Sequence, residues 1–239
     1  MNSVAFTRYE LLRLVRNRRA FIFSLIFPLI LFLVIGTSAK GDAYGVPYKE
    51  YYMVAMIAFG ATMAVLSGGA RIATDRAAGW MRALRLTPLS VGAYLRAKMA
   101  SGLFLALISV VLISAAGLAT GVRMGWGPWL ETVALVVVGL LPLGLVGITL
   151  GHLGTPESMG PIVGGLSALL SMLGGSWFPL SGTLESVGKL LPTYWITRAG
   201  PLAIQGHAWP GTAWVVVVAW TAGAAVLAAW AYRRSEGRR

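Results

Sequence analysis

The chain contains no cysteine and two histidines, and 12% of its 239 residues carry charge. Without cysteine there is no disulfide, no thiolate nucleophile and no thiol metal site. His152 and His207 read as members of different loops, and no histidine clusters with carboxylates at ligand spacing. No metal centre is therefore expected. A soluble domain carries about 25% charge and about 45–50% apolar residues; here 57% of the chain is hydrophobic. A water-facing fold cannot bury that excess, so the bilayer is the expected solvent. No G-x-x-x-x-G-K-[ST] run occurs, and the nearest fragment, Gly188-Lys189, is followed by Leu190. A phosphate-cradling loop of that kind is excluded. G-x-S-x-G and H-E-x-x-H are absent as well, which removes two common hydrolase sites.

What the chain does have is apolar runs. Six are long enough to cross about 30 Å of hydrocarbon, which takes about 20 helical residues: 21–39, 51–70, 100–121, 132–150, 159–180 and 212–232. None of these runs contains Asp, Glu, Lys or Arg, as the cost of a charge at a span's centre requires. The same absence leaves no acidic or histidine relay for proton-driven transport. Any energy for pumping is expected from another polypeptide.

Charge orders the loops. The net charge is +12. In a membrane protein that excess reads as basic cytoplasmic loops facing anionic lipid, not as a nucleic-acid surface. Residues 1–20 hold five Arg and one acid, 71–99 six basic residues and one acid, and 233–239 four Arg and one acid. Basic segments stay inside, so both termini and the loop 71–99 are expected in the cytoplasm. Arginine outnumbers lysine sixteen to four, the bias of a GC-rich bacterial genome. The opening MNSVAFTRYELLRLVRNRRAFIF is expected to remain on the chain, since its basic and apolar stretches are both too long for a cleavable signal. No repeat or Ser/Gly linker divides residues 1–239, so a single domain is expected.

Proline and glycine mark the spans. Pro28, Pro142, Pro161 and Pro179 each remove a backbone donor and invite a kink. Gly117 with Gly121, Gly147 with Gly151, and Gly160 with Gly164 allow close helix approach; packing within the chain is the preferred reading over a dimer contact. Residues 181–211 are too polar to span. They read as short helices at the outer face, partly dipping into the bilayer, with Trp177, Tyr194, Trp195 and Trp209 placed as interfacial anchors.

The stretch DRAAGWMRALRLTPLS, residues 75–90, lies in the basic loop after the second run. At about 100° per residue, Ala77, Trp80, Met81 and Leu84 share one stripe, while Arg82 and Leu86 oppose it and Arg85 lies on the flank. Asp75 is placed to cap the start, and Thr87-Pro88 ends the helix. A further helix restarts near Ser90. The segment reads either as a lipid-surface helix or as a docking element for a cytoplasmic partner.

Here the residues resemble a family. Bacterial type-2 ATP-binding-cassette (ABC) exporter permeases often read E-x-G-[TW]-x-x-x-L-x-x-T-P-L at their first cytoplasmic loop. This chain keeps Gly79, the Leu84-Arg85 pair and Thr87-Pro88-Leu89, and has Ala77-Ala78 where relatives often place Glu. Gly174-Gly175-Ser176-Trp177-Phe178-Pro179-Leu180, then Leu190-Leu191-Pro192-Thr193-Tyr194-Trp195, is similar to the family's fifth-span exit and outer short helices. With the six runs and the basic N-terminus, the resemblance covers nearly the whole chain.

The resemblance implies an all-α membrane protein of six transmembrane helices. It adds an N-terminal amphipathic interfacial helix over residues 2–20, a cytoplasmic coupling helix, and short outer re-entrant helices before the last span. It implies a permease without its own ATPase site, paired with a second permease chain, identical or paralogous. Two ATPase subunits would bind the ATP and Mg. Contact with the ATPase would fall on Asp75, Arg76, Gly79, Trp80, Arg82, Ala83, Leu84, Arg85, Leu86, Thr87, Pro88 and Leu89. The family's pathway runs where the first, second and fifth spans of two chains meet, which makes Phe27, Phe32, Met56, Phe59, Met63, Met172 and Trp177 candidates for its lining. An uncharged lining suits a lipophilic or amphipathic cargo such as a drug, antibiotic or lipid. The setting implied is a bacterial plasma membrane. A non-transporting assembly or sensor subunit is the alternative, separated by whether the chain works without an ATPase.

Overall fold

The computed structural model describes residues 8, 10, 22–79 and 91–237. Helix α1 has a short α-helical centre, Phe27–Leu31, between wider π-helical stretches, Ile22–Ile26 and Phe32–Gly36. A two-stranded hairpin follows, β1 (Asp42–Ala43) and β2 (Val46–Pro47), paired antiparallel. Then come α2 (Tyr48–Ala77), α3 (Val91–Ala119), α4 (Trp126–Leu153), α5 (Pro156–Leu173), α6 (Gly182–Gly188), α7 (Pro192–Ile204) and α8 (Gly211–Gly237).

Among the described residues, four helices are long and apolar enough to cross a membrane: Tyr48–Ala77, Gly92–Ala119, Trp126–Leu153 and Gly211–Ser235. The runs expected at 21–39 and 159–180 give shorter helices. The second of these stops at Leu173 because Gly175 turns the chain with φ +76°. The long helices outrun their apolar windows. With 30 residues, α2 is about 45 Å long and carries Arg71, Asp75 and Arg76 in its final turns. A linear scan ends a span at the first charge, whereas a helix continues wherever that charge finds a partner.

Helix α2 is the hub. Of its most apolar window, 83% is buried, against 22% for α8 at the periphery. It packs on α1, α3, α4, α5 and α7, while α8 leans mainly on α4. Where α2 crosses α4 the backbones nearly touch. A Cβ on Gly69 would stand 2.2 Å from the Gly147 carbonyl oxygen, and one on Gly151 would stand 2.5 Å from that of Gly69. The Gly147/Gly151 pair thus serves packing inside the chain, as read from its spacing. By contrast, a Cβ on Gly160 or Gly164 would meet nothing within 4 Å.

Local chemistry sets the turns. Thr155 opens α5 with a reciprocal cap: its hydroxyl accepts from Ser158 N, and the Ser158 hydroxyl accepts from Thr155 N. Pro156 suits the first helical position, where no backbone donor is needed. The hairpin turns at Tyr44 (φ 55°) and Gly45 (φ +77°), the paired positive values of a tight two-residue turn.

Two expectations fail here. Tyr194, Trp195 and Trp209 are not interfacial anchors, being 2%, 6% and 5% exposed in a cluster between α4, α7 and α8. Aromatic residues beside a span end look alike in sequence whether they meet headgroups or pack inside the fold. His152 is not in a loop either. It lies in the last turn of α4, buried edge-on against the Tyr232 ring.

Candidate functional site

Three regions concern function, and the first is the end of α2 that leads into the basic loop. Asp75 does not cap a new helix. It sits inside the last turns of α2, which closes at Ala77 and turns away at Gly79, φ +70°. Lys98, about two turns into α3, reaches across to it: Nζ lies 2.6 Å from Asp75 Oδ2 and 2.8 Å from Glu10 Oε2. All three side chains are 2% exposed or less. Tyr94 also donates toward Asp75 Oδ2 at 3.5 Å. One ammonium thus holds the N-terminal segment, the root of the basic loop and the start of α3 together.

Nearby, Arg76 donates to the carbonyl oxygens of Gly151 (3.0 Å) and Gly154 (3.4 Å). A guanidinium there complements the negative end of the α4 dipole. Arg71 donates to Ser101 Oγ at 3.1 Å. Of the expected contact residues, Asp75, Arg76 and Gly79 are therefore placed at this junction. Trp80, Arg82, Ala83, Leu84, Arg85, Leu86, Thr87, Pro88 and Leu89 lie outside the described residues, as does the expected N-terminal helix apart from residues 8 and 10.

Sequence reasoning missed Lys98 and Glu10. A signal was present: Glu10 is the one acid in residues 1–20 and Asp75 the one acid in 71–99. A lone acid kept in a basic segment that meets the membrane needs a reason, and Lys98 supplies it for both.

The second region is the expected pathway lining. Phe27 on α1, Phe59 on α2 and Trp177 after α5 form a row of edge-to-face rings with centroids 5.9 Å apart at each step. Phe27 and Trp177 are 40% exposed, while Phe59 between them is buried. Met172 is exposed and Met63 partly so. Phe32 and Met56 differ: both are fully enclosed by the chain and line no surface in this conformation. Phe32 fills the space left by Gly36, where a Cβ would meet its ring at 2.8 Å. The first, second and fifth apolar helices therefore do converge on one aromatic row.

The third region is the cap formed by the hairpin, α6 and α7. The Tyr44 hydroxyl accepts from Leu180 N at 2.6 Å, and the Arg198 guanidinium stands 3.9 Å above its ring. Gln205 Nε2 donates to the Tyr44 carbonyl at 2.6 Å. These contacts pin a non-glycine residue in the left-handed region, a conformation that persists only where its surroundings impose it. Tyr51 donates to the Gly175 carbonyl, Ser176 and Thr197 share a hydrogen bond of 2.9 Å, and Thr193 donates to Leu170 O. Thus α7 is fastened to the exit of α5, and most of its residues are buried by protein. At its edge Tyr194 donates to Glu185 Oε1 at 2.8 Å. That bond holds the Glu185 carboxyl below its usual range, while burial first and the carboxylate second push the Tyr194 phenol up.

Residues 2–204 match the family model described as ABC-2 type transporter. A protein of Bacillus subtilis (strain 168) named as a transport permease, YvfS, is 26% identical over 194 residues, which is 77% of this chain and 78% of the relative. With most of its length matched and four helices fit to cross a bilayer, the chain belongs to the ABC-2 type transporter family: it is a multi-pass membrane permease subunit of an ABC transporter, a family whose members work with an ABC ATPase.

Proposed function

We propose that this permease is one half of an ATP-driven exporter for lipophilic or amphipathic compounds. Two permease chains pair through the face that carries Phe27, Phe59 and Trp177, and two ATPase subunits bind beneath. The chain crosses the bacterial plasma membrane six times with both termini in the cytoplasm, and the ATPase holds the ATP and Mg. The segment from Asp75 to Leu89 seats in the ATPase, and the N-terminal segment, residues 2–20, lies along the inner membrane face.

The observation that supports this most is the tie at Lys98. A segment that receives force from a partner must be rooted firmly in the helices it moves. Asp75 and Glu10, from the two segments nearest the ATPase, share one buried cation with α3. A push on the loop would then reach α2 and α3 together. The uncharged aromatic row supports the cargo class, since it offers apolar area and no ionic contact.

The test is to purify the permease with its ATPase in lipid and measure ATP turnover and cargo movement. Changing Gly79 and Leu84 together to Asp is expected to uncouple the two. A doubly changed permease that transports normally removes the coupling role of this segment. Activity in the absence of any ATPase replaces the exporter with the sensor or assembly subunit.

A further inference from the structure

Away from the aromatic row, a cleft of about 340 Å³ lies between α2, α3 and α4. Met53 of α2 forms its floor, Ser114, Ala115 and Leu118 of α3 one wall, and Trp126 and Trp129 of α4 the other. Gly117 makes room for the floor, because a Cβ there would press on Met53 Sδ. Leu118 and Trp126 are 65% and 79% exposed. The mouth therefore opens on the outer flank of two helices that are long and apolar enough to cross a membrane. Among the described residues, none that lines the cleft is charged.

The side chains of this cleft have hydrogen to give and little to receive it. Ser114, one of the lining residues, is 6% exposed. Its oxygen accepts from Trp129 Nε1 at 3.1 Å, which leaves its own hydrogen uncommitted. Within a helix, a serine or threonine hydroxyl commonly gives that hydrogen to the carbonyl four residues back. Thr120 does so to Ala116 at 2.9 Å and Thr132 to Pro128 at 2.7 Å. Ser114 makes no such bond, and its hydrogen has no acceptor among the described residues. The Trp126 indole N–H, on the opposite wall, has none there either. A hydroxyl hydrogen kept in an apolar recess without an acceptor is costly. What the cleft lacks is an accepting oxygen on a molecule that is otherwise apolar and carries no charge.

We propose that this cleft binds small, uncharged lipophilic molecules that carry a carbonyl group. The carbonyl oxygen, acceptor only and with two lone pairs, takes the Ser114 hydrogen. The apolar body lies against the Trp126 and Trp129 rings, which stand 6.1 Å apart and edge to face. The volume sits at the small end of the range of about 300–1,000 Å³ for small-molecule sites, so the occupant is a small compound and not a whole two-chain lipid. Such a compound reaches the mouth by dissolving in the bilayer. The site needs neither the ATPase nor a direction of transport, so it stands or falls apart from the exporter reading.

The test uses the full chain with its ATPase in nanodiscs of diether phosphatidylcholine, whose tails carry no ester carbonyl. The probe is a phenyl alkyl ketone with a trifluoromethyl diazirine on its ring, compared with the hydrocarbon in which a methylene replaces the carbonyl. After irradiation, mass spectrometry is expected to place ketone labelling on Met53 and within residues 111–129. Half-maximal labelling by the ketone should need about fivefold less probe than labelling by the hydrocarbon. Ser114→Ala should remove that advantage and leave hydrocarbon labelling unchanged. Ala115→Phe, which fills the cleft from an exposed position, should remove both. Ketone labelling that persists in nanodiscs of diester phosphatidylcholine assigns the site to the free compound. Its loss there gives the accepting oxygen to the lipid ester and overturns the proposed occupant. Equal labelling by ketone and hydrocarbon, an equal effect of Ser114→Ala on both, or labelling spread outside the cleft overturns the proposal as well.

Discussion

The Lys98 ammonium stands 2.6 Å from Asp75 Oδ2 in a place where both side chains are 2% exposed or less. The pair spans the gap in sequence that contains the whole basic loop. Removing one partner of a buried ionic group costs about 3–5 kcal/mol, because the other charge is left without compensation. Lys98→Met would leave two carboxylates facing each other. It is expected to lower the unfolding midpoint in detergent well below that of the parent. Arg96, on the same helix but exposed, is the control: Arg96→Met should change the midpoint little. Equal midpoints for parent and Lys98→Met would show that the triad carries no structural weight.

The crossing of α2 and α4 separates two kinds of glycine. Gly69→Ala puts a methyl group against the Gly147 carbonyl, with a starting distance of 2.2 Å, and overpacking of this kind costs about 1–3 kcal/mol or more. Gly160→Ala meets open space and should be neutral or slightly stabilising. Thermal unfolding of the two variants beside the parent reads the difference.

Burial sorts the aromatic row. Phe59 is 3% exposed and packed among core residues, so Phe59→Ala should cost about 3–5 kcal/mol of stability. Trp177 is 40% exposed. Trp177→Ala should leave the unfolding midpoint nearly unchanged while altering cargo efflux by the assembled transporter. Unaltered efflux would remove Trp177 from the pathway.

Acid should act on the cap of hairpin, α6 and α7 through Glu185. Its carboxyl is held below the ordinary 4.5, chiefly by the Tyr194 hydroxyl. A depressed carboxyl contributes stability above its unfolded value and loses that contribution as pH falls through the folded one. Tyr194→Phe removes the donor. The stability gap between parent and Tyr194→Phe should therefore be largest near neutral pH and shrink below pH 4.5. A gap that stays constant from pH 7 to pH 3 would mean that the hydrogen bond does not govern this carboxyl.

Much of this fold was legible because lipid tolerates so few residue types. The apolar runs announced their helices, and the glycine pair at 147 and 151 announced a close crossing. The ends of the helices were not legible. Arg71, Asp75 and Lys98 extend α2 and α3 by pairing across the fold, and such pairs between distant segments leave no periodic mark. Trp195 and Trp209 misled for a related reason, since a girdle residue and a buried packing residue sit at the same sequence position. The hairpin at Tyr44 escaped because its strands are two residues each and its turn puts a tyrosine where Asn or Asp is usual. Of the aromatic row, Phe27, Phe59 and Trp177 could be anticipated from the family resemblance. That Phe32 and Met56 turn inward depends on the space left at Gly36 and on neighbours in three dimensions.

The Tyr44 clasp has a mechanical corollary. Its ring and hydroxyl are gripped by Arg198 and Leu180, and four residues later its chain becomes α2, whose far end is anchored at Lys98. A rigid strut gripped at both ends cannot tilt at one without dragging the other. Movement received at the Lys98 end would therefore arrive at the Tyr44 end with no relay between, and the hairpin would behave as the hinge pin of the lid that α6 and α7 form.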